Sequence, residues 1–395
     1  MGTDLIFPRQ VIIVGPLHGI KIIEIVGMGP APYAAMLLAD LGADVIRVDR
    51  PGGSPFSYGN KLDLLNRNKQ CVCVNLKSPE GITVVKKLLE TADGLIEGFR
   101  PGTMEKLGLA PDVCFSLNPK LVYGRVTGWG QDGPLALKPG HDLNYVSLSA
   151  VTHALGRAGE KPTVPLPLIG DFSGGGLFAA LGMVSALLEA SRSGKGQVVD
   201  ASIVDGTAHL MSSIYAAQQI GFWSHERGEN LLDGGAPFYE VYTCCDGKYL
   251  SVAAIEPQFY AEFLRGLGYD SDEINAFVAQ QMNQAHWIAT KEKFSAILRT
   301  KTRNEWVTIF AVLETCVAPV LSSGEAHVHP HNVARETFIE NDGVWQPRPA
   351  PRFSRCENST VRPPVPIGAD TDQLLQGMGY TTAQIDALKQ ARVIA

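Results

Sequence analysis

Two short stretches set acid–base side chains among glycines. The first is Pro139-Gly140-His141-Asp142-Leu143-Asn144-Tyr145. Here a histidine follows a Pro-Gly turn at the start of an amphipathic helix, with Asp142 placed as the N-cap. Backbone N–H groups at a helix start point outward and favour developing negative charge. The second is Gly170-Asp171-Phe172-Ser173-Gly174-Gly175-Gly176, read as an aspartate on a glycine-rich turn that opens another helix. Three glycines would let a ligand approach the backbone closely. Each stretch alone reads as a cap or a turn. Together they supply a histidine and a carboxylate at helix N-termini, which is what a two-base proton transfer needs. Asp171 has a second use open to it, as a nucleophile that forms an acyl anhydride.

Other candidates carry less. Gly27-Met28-Gly29 follows a strand and precedes a helix, and Asp49 comes 20 residues after Gly29, as in a dinucleotide fingerprint. Pro32 occupies the third glycine position, Pro30 stiffens the turn and Arg50 follows Asp49, so the stretch reads as a turn. Arg47, Arg50, Arg67, Lys69, Lys77, Arg100 and Lys106 fall in or near loops between the early strands. Among ordinary solvated charges, they make an anion site at the loop ends plausible. His327, His329 and His331 surround Pro330 without partner cysteines or H-E-x-x-H spacing, so no metal site is expected. The seven cysteines form no C-x-x-C pair, which argues against a zinc site or disulfide framework and for a reducing compartment.

The elements that must position these residues alternate. Strands are expected at 20–26, 45–48, 71–76, 94–99, 121–127 and 197–203. Helices fit 33–41, 79–91, 144–154, 175–189 and 206–220. Such alternation argues for an α/β fold with a mostly parallel sheet covered by helices. The pattern changes near residue 230. Runs at 238–243 and 248–254, separated by Cys244, Cys245 and the Asp246-Gly247 pair, read as a hairpin. Helical stretches follow at 258–267, 291–298 and 304–313. The expected division is a large Rossmann-like domain over 1–229, a small α+β domain over 230–325, and a connector with a C-terminal segment over 326–395.

Composition narrows the classes. The 395 residues are 45% hydrophobic and 19% charged, which fits a globular chain and excludes a disordered one. A net charge of −6 leaves no basic excess for a phosphate backbone, so nucleic acid is not an expected partner. No apolar run reaches the ~18 residues that span a bilayer, so no membrane segment is expected. Residues 1–14 lack the pattern of a signal peptide.

The chain resembles the family III CoA-transferase superfamily, and within it the racemases that act on 2-methylacyl-CoA thioesters. The resemblance runs from about Pro16 to the C-terminus. It is carried by Gly-Pro-Ala-Pro at 29–32, Leu-Gly-Ala-Asp-Val-Ile-Arg-Val-Asp-Arg-Pro-Gly at 41–52 and Arg-Pro-Gly at 100–102. Met-Glu-Lys-Leu-Gly-Leu at 104–109, the two glycine-flanked stretches above, and Gly-Lys-Gly-Gln-Val-Val-Asp at 194–200 continue it. Gly-Ala-Pro-Phe-Tyr at 235–239, Ile-Glu-Pro-Gln-Phe-Tyr at 255–260, Cys-Val-Ala-Pro-Val-Leu at 316–321 and Arg-Pro-Ala-Pro-Arg-Phe at 348–353 complete it.

The resemblance implies an interlocked homodimer with shared active sites, whose large Rossmann-like domain is completed by the C-terminal segment. CoA, as part of the acyl-CoA substrate, would meet Arg50, Val74, Asn75, Leu76, Lys77, Arg100, Lys106, Gly140, His141, Asp142, Leu143, Asn144 and Tyr145. His141 and Asp171 would be the two bases, and Glu256 from the partner chain would orient His141. No further cofactor is implied. The implied reaction interconverts (2R)- and (2S)-2-methylacyl-CoA through an enolate; the alternative is a CoA-transferase using an Asp171 anhydride. Leu177-Phe178-Ala179-Ala180 stands where such racemases often carry methionine, leaving Met183 and a few others to form an acyl surface. The expected location is cytoplasmic in a bacterium, or mitochondrial or peroxisomal in a eukaryote, although Val393-Ile394-Ala395 is not a Ser-Lys-Leu-type address.

Overall fold

Short β-branched runs bounded by glycine and proline become one six-stranded sheet in the computed structural model, which describes residues 15–53, 61–356 and 360–395. The expectation for residues 1–14 lies outside the described residues. The strands are β1 (Lys21–Ile25), β2 (Asp44–Asp49), β3 (Gln70–Cys73), β4 (Gly94–Glu97), β5 (Val122–Thr127) and β6 (Val198–Ser202). All neighbours pair in parallel, in the order β3-β2-β1-β4-β5-β6. Strand side chains alternate between faces. Ile22, Val45, Ile96 and Val122 therefore pack with Leu38, Ala179 and Met183 on one side. Ile23, Ile25, Ile46, Val48 and Leu95 pack with Leu89, Leu375 and Ile385 on the other.

Three local differences from the sequence reading have physical causes. β3 stops at Cys73 because Val74 turns to bridge Ile394 and the Asn75 N–H donates to the Val393 carbonyl at 2.7 Å. The helix expected over 144–154 is two, Asp142–Leu148 and Val151–Ala154, broken where Ala150 takes a left-handed φ of 63°. The helix expected from 206 starts at Ile203 and is interrupted at Met211, giving Ile203–Leu210 and Ser212–Gln219.

The chain divides into two compact units. The first holds the described parts of Met1–Ser149, Leu166–Leu210 and Glu336–Ala395; the second holds Ala150–Pro165 and Met211–Arg335. Residues 150–165, 211–229 and 326–335 thus group with the second unit, where the expected boundaries were 230 and 325. The Arg157 guanidinium pairs at 2.6 Å with the buried Glu240 carboxylate, and Gly228 packs on the Ala158 backbone. These contacts join residues far apart in sequence.

The second unit contains the expected hairpin, β7 (Tyr239–Thr243) and β8 (Tyr249–Ala253), extended by β9 (Val317–Val320). Pro319 is accommodated in β9 because that strand lies at the sheet edge. In the first unit, β10 (Phe338–Asn341) and β11 (Val344–Pro347) form a separate antiparallel pair. The sequence reading had neither β9 nor this pair.

One stretch bears on the membrane expectation. Leu168–Ser193 is continuous helix over 26 residues, long and apolar enough to span a bilayer by length and composition alone. Its Ala179, Ala180, Met183, Ala186 and Ala190 are buried in the core, so it serves as a helix covering the sheet. Met183 is completely buried, with its side chain close over Gly94 and Gly124. That position removes it from any acyl-binding surface; Leu168, Leu177, Leu181 and Leu188 are exposed apolar residues of the same helix.

Candidate functional site

In a parallel sheet whose strand order reverses, the crevice lies outside the carboxyl ends of the strands at the reversal. Here the reversal falls between β1 and β4. The loop after β1 is 26–29 and the loop after β4 is 98–102. Arg50 follows β2, Asn75, Leu76 and Lys77 follow β3, and Arg100 follows β4, so these residues share one edge.

The expected basic cluster splits in two. Arg50, Lys77, Arg100 and Lys106 are exposed, and Arg50 is steadied by a 2.8 Å bond from its Nε to the Gly53 carbonyl. Arg47, Arg67 and Lys69 are buried and committed to structure, which removes them from the anion site. Arg67 grips Asp40 at 2.5 Å, Lys69 grips Glu24 at 2.6 Å, and Arg47 lies 3.5 Å from Asp49. Val74 is also buried and can offer only backbone. The Arg100 loop is braced from below, where the Phe99 N–H donates at 2.7 Å to Glu97, itself paired with Arg125 at 3.0 Å. Burial raises the Glu97 carboxyl to about 6, against the opposing Phe99 N–H and Arg125.

His141 is the N-cap residue of the helix Asp142–Leu148, so Asp142 is the first helical residue and not the cap. The Gly140–His141 peptide is held on both sides. Its N–H donates to Asn144 Oδ1 at 3.0 Å, and its carbonyl accepts from the Tyr145 hydroxyl. Tyr145 packs edge-on against Trp129, with ring centroids 4.7 Å apart. Burial and then the Asp171 carboxylate push the Tyr145 phenol up, while the Arg100 guanidinium pulls it back. Those interactions put Arg100, Tyr145 and Asp171 in one electrostatic neighbourhood. His141, Leu143 and Asn144 are exposed at this edge.

Asp171 is not on a turn. It lies inside a π-helical segment, Leu168–Leu177, that runs directly into the helix Phe178–Ser193. Such wide turns recur at functional sites. The glycines serve helix packing more than ligand approach. A Cβ on Gly174 would meet Thr207 Cγ2 at 2.4 Å, and one on Gly175 would meet Ile203 and Pro30 at 2.9 Å. These glycines let the segment settle against the helices Pro30–Asp40 and Ile203–Leu210, while Phe172 packs on Tyr33 at 4.8 Å.

The Asp171 carboxylate consequently reaches the sheet edge at Gly29. A Cβ there would lie 2.7 Å from Asp171 Oδ2, and Gly29 has φ of 67°, so any other residue would be strained and would push the carboxylate aside. The sequence reading missed Gly29 as a site residue, although strand–Gly-x-Gly-Pro–helix was a visible signal. Burial, followed by the charge of Asp142, raises the Asp171 carboxyl to about 6, while nearby His141 opposes the rise. A carboxyl near 6 can both take and give a proton close to neutral pH.

Glu256 belongs to the second unit, exposed just before the helix Pro257–Leu267, where its charge raises the Cys316 thiol after burial does so. The structure therefore gathers His141, Asp142, Tyr145, Asp171 and Arg100 within the first unit, and leaves Glu256 on the other.

The profile of CoA-transferase family III matches residues 17–371. A mouse (Mus musculus) alpha-methylacyl-CoA racemase is 43% identical over 381 residues, covering 96% of this chain and 97% of that one. A succinyl-CoA–D-citramalate CoA-transferase of Chloroflexus aurantiacus is 31% identical over 343 residues, 84% of each chain. The crystal structure of a CaiB/BaiF family protein from Brucella suis superposes with a TM-score of 0.79 at 24% identity, covering 92% of this chain and all of that one.

Proposed function

The chain belongs to CoA-transferase family III, and on that footing we propose that it racemises 2-methylacyl-CoA thioesters by two-base proton transfer. The observation that carries the reading is the pairing of His141 with an Asp171 carboxyl held near 6 at the reversal point of the sheet. The 43% identity to a racemase over nearly the whole chain supports it.

A thioester acidifies its α-proton, so the CoA link is needed by the chemistry. In one direction ionised Asp171 takes the α-proton from one face, and protonated His141 returns a proton to the other. In the reverse direction neutral His141 is the base and protonated Asp171 the acid. The enolate oxygen between the two steps needs a donor. The His141 N–H is occupied by Asn144, whereas no described group accepts from the Asp142 N–H at the helix start, so Asp142 supplies it. Arg50, Lys77, Arg100 and Lys106 meet the phosphates of CoA along the edge. The reading includes a homodimer in which Glu256 of one chain orients His141 of the other.

The transferase alternative draws support from the 31% identical Chloroflexus relative, and in it Asp171 attacks the thioester carbonyl. Incubation of one 2-methylacyl-CoA enantiomer in D2O without acceptor acid decides. Racemisation predicts α-deuterium and loss of optical purity. An untouched α-proton, with CoA passing to an added carboxylic acid, would make Asp171 the nucleophile.

A further inference from the structure

Asp142 stands next to one proposed base in sequence and next to the other in space. Its Oδ1 accepts the Asp171 N–H at 2.7 Å, and the Gly170 N–H also bonds to this carboxylate. A Cβ on Gly170 would lie 2.2 Å from Asp142 Oδ1, so the glycine makes room for the carboxylate. The start of the π-helical segment is thus tied to the first residue of the helix that His141 caps.

We propose that Asp142 is a positioning residue that couples the two proton-transferring side chains: its carboxylate clamps the Asp171 backbone, its peptide continues from His141, and its charge faces Asp171. The proposal rests on the racemase reading for its kinetic part only. Backbone motion of the Asp171 segment relative to the start of the His141 helix stretches the bond at Asp142, so the backbones that carry the two bases are held in one frame.

The charges around Asp171 single out Asp142. The elements packed on the π-helical segment bring Tyr33 and Asp40 from the helix Pro30–Asp40, and Asp205 and His209 from Ile203–Leu210. They also bring Tyr123 and Arg125 on β5, Asp200 on β6, Glu189 and Arg192 on Phe178–Ser193, and Tyr145 beside Asp142 on Asp142–Leu148. The charges that act on Asp171 are Asp142, which raises it, and His141, which lowers it.

The test uses the full chain with 13C-labelled aspartate carboxyls, the Asp171 signal being assigned by its loss in Asp171→Asn. In Asp142→Asn, which keeps an acceptor oxygen but no charge, the Asp171 titration midpoint should fall toward the ordinary carboxylate range. The matching limb of the racemisation pH profile should move the same way. Asp142→Ala, which loses the clamp too, should drop kcat by about tenfold or more, the worth of one charge-assisted hydrogen bond, with KM little changed. Thermal melts of both variants establish that they are folded. An Asp171 midpoint that stays put in Asp142→Asn overturns the coupling, as does full kcat in Asp142→Ala. If the racemase reading itself is wrong, the wild type shows no α-deuterium, and the carboxyl titration still decides the role of Asp142.

Discussion

At the residue scale the site depends on a close contact that an added methyl would disturb. Gly29 has a positive φ and the Asp171 carboxylate beside its Cα. Gly29→Ala should displace that carboxylate and cut the proposed racemisation by about 10²-fold, the effect of misplacing a reacting group by about 1 Å. Gly194→Ala is the control, since Gly194 also has positive φ (74°) but meets nothing within 4 Å. Comparable turnover in the two variants would remove Gly29 from the site. Asp171 itself carries a pH signature. Its carboxyl sits at about 6 in the fold, against ~3.9 in an unfolded chain. The fold binds this proton more tightly, so the associated stability is fully present below the unfolded value and is lost as pH rises through 6. Asp171→Asn should therefore raise Tm relative to wild type at pH 8 more than at pH 4. An equal difference at both pH values would contradict the raised carboxyl.

At the scale of elements, the two site-bearing segments are both irregular, and the irregularity has causes in sequence-distant packing. The π-helical turn at 168–177 is seated by Pro30 and Tyr33 from one helix and by Ile203 and Thr207 from another. The break at Ala150 ends the His141 helical region with an L-residue in a left-handed conformation. Glycine takes that conformation without the Cβ clash, so Ala150→Gly should stabilise the protein by about 1 kcal/mol. A chemical-denaturation curve would show it, and a lower midpoint would mean that the Ala150 methyl contributes packing worth more than the strain. The strands were legible because each is a short apolar run closed by a turn residue. β9 and β11 were not, since Pro319 and Pro347 lie inside them and proline argues against a strand until its edge position is known.

At the scale of the whole molecule, the proposed function asks for more than one chain. His141 and Glu256 belong to different compact units of this chain, and the homodimer reading brings Glu256 from the partner. Co-refolding inactive His141→Ala with inactive Glu256→Ala chains should then restore part of the activity, because mixed dimers regain one intact site. No recovery, with mixed dimers demonstrably formed, would point to a site completed within one chain.

Sequence alone determined what depends on local pattern and residue type: the alternating α/β architecture, the six core strands within a residue or two at most ends, the family, and the pairing of His141 with Asp171 as candidate chemistry. Only the tertiary structure decided which charges are available. Arg47, Arg67 and Lys69 look like Arg50 and Lys77 in sequence, yet they are buried against Asp49, Asp40 and Glu24, since a charge taken out of water must find a partner. It likewise decided that Met183 is core, that the 174–176 glycines seat helices, and that Gly29 and Asp142 bear on Asp171. Those facts arise where segments tens to hundreds of residues apart meet, and no periodicity or spacing in the chain records such a meeting.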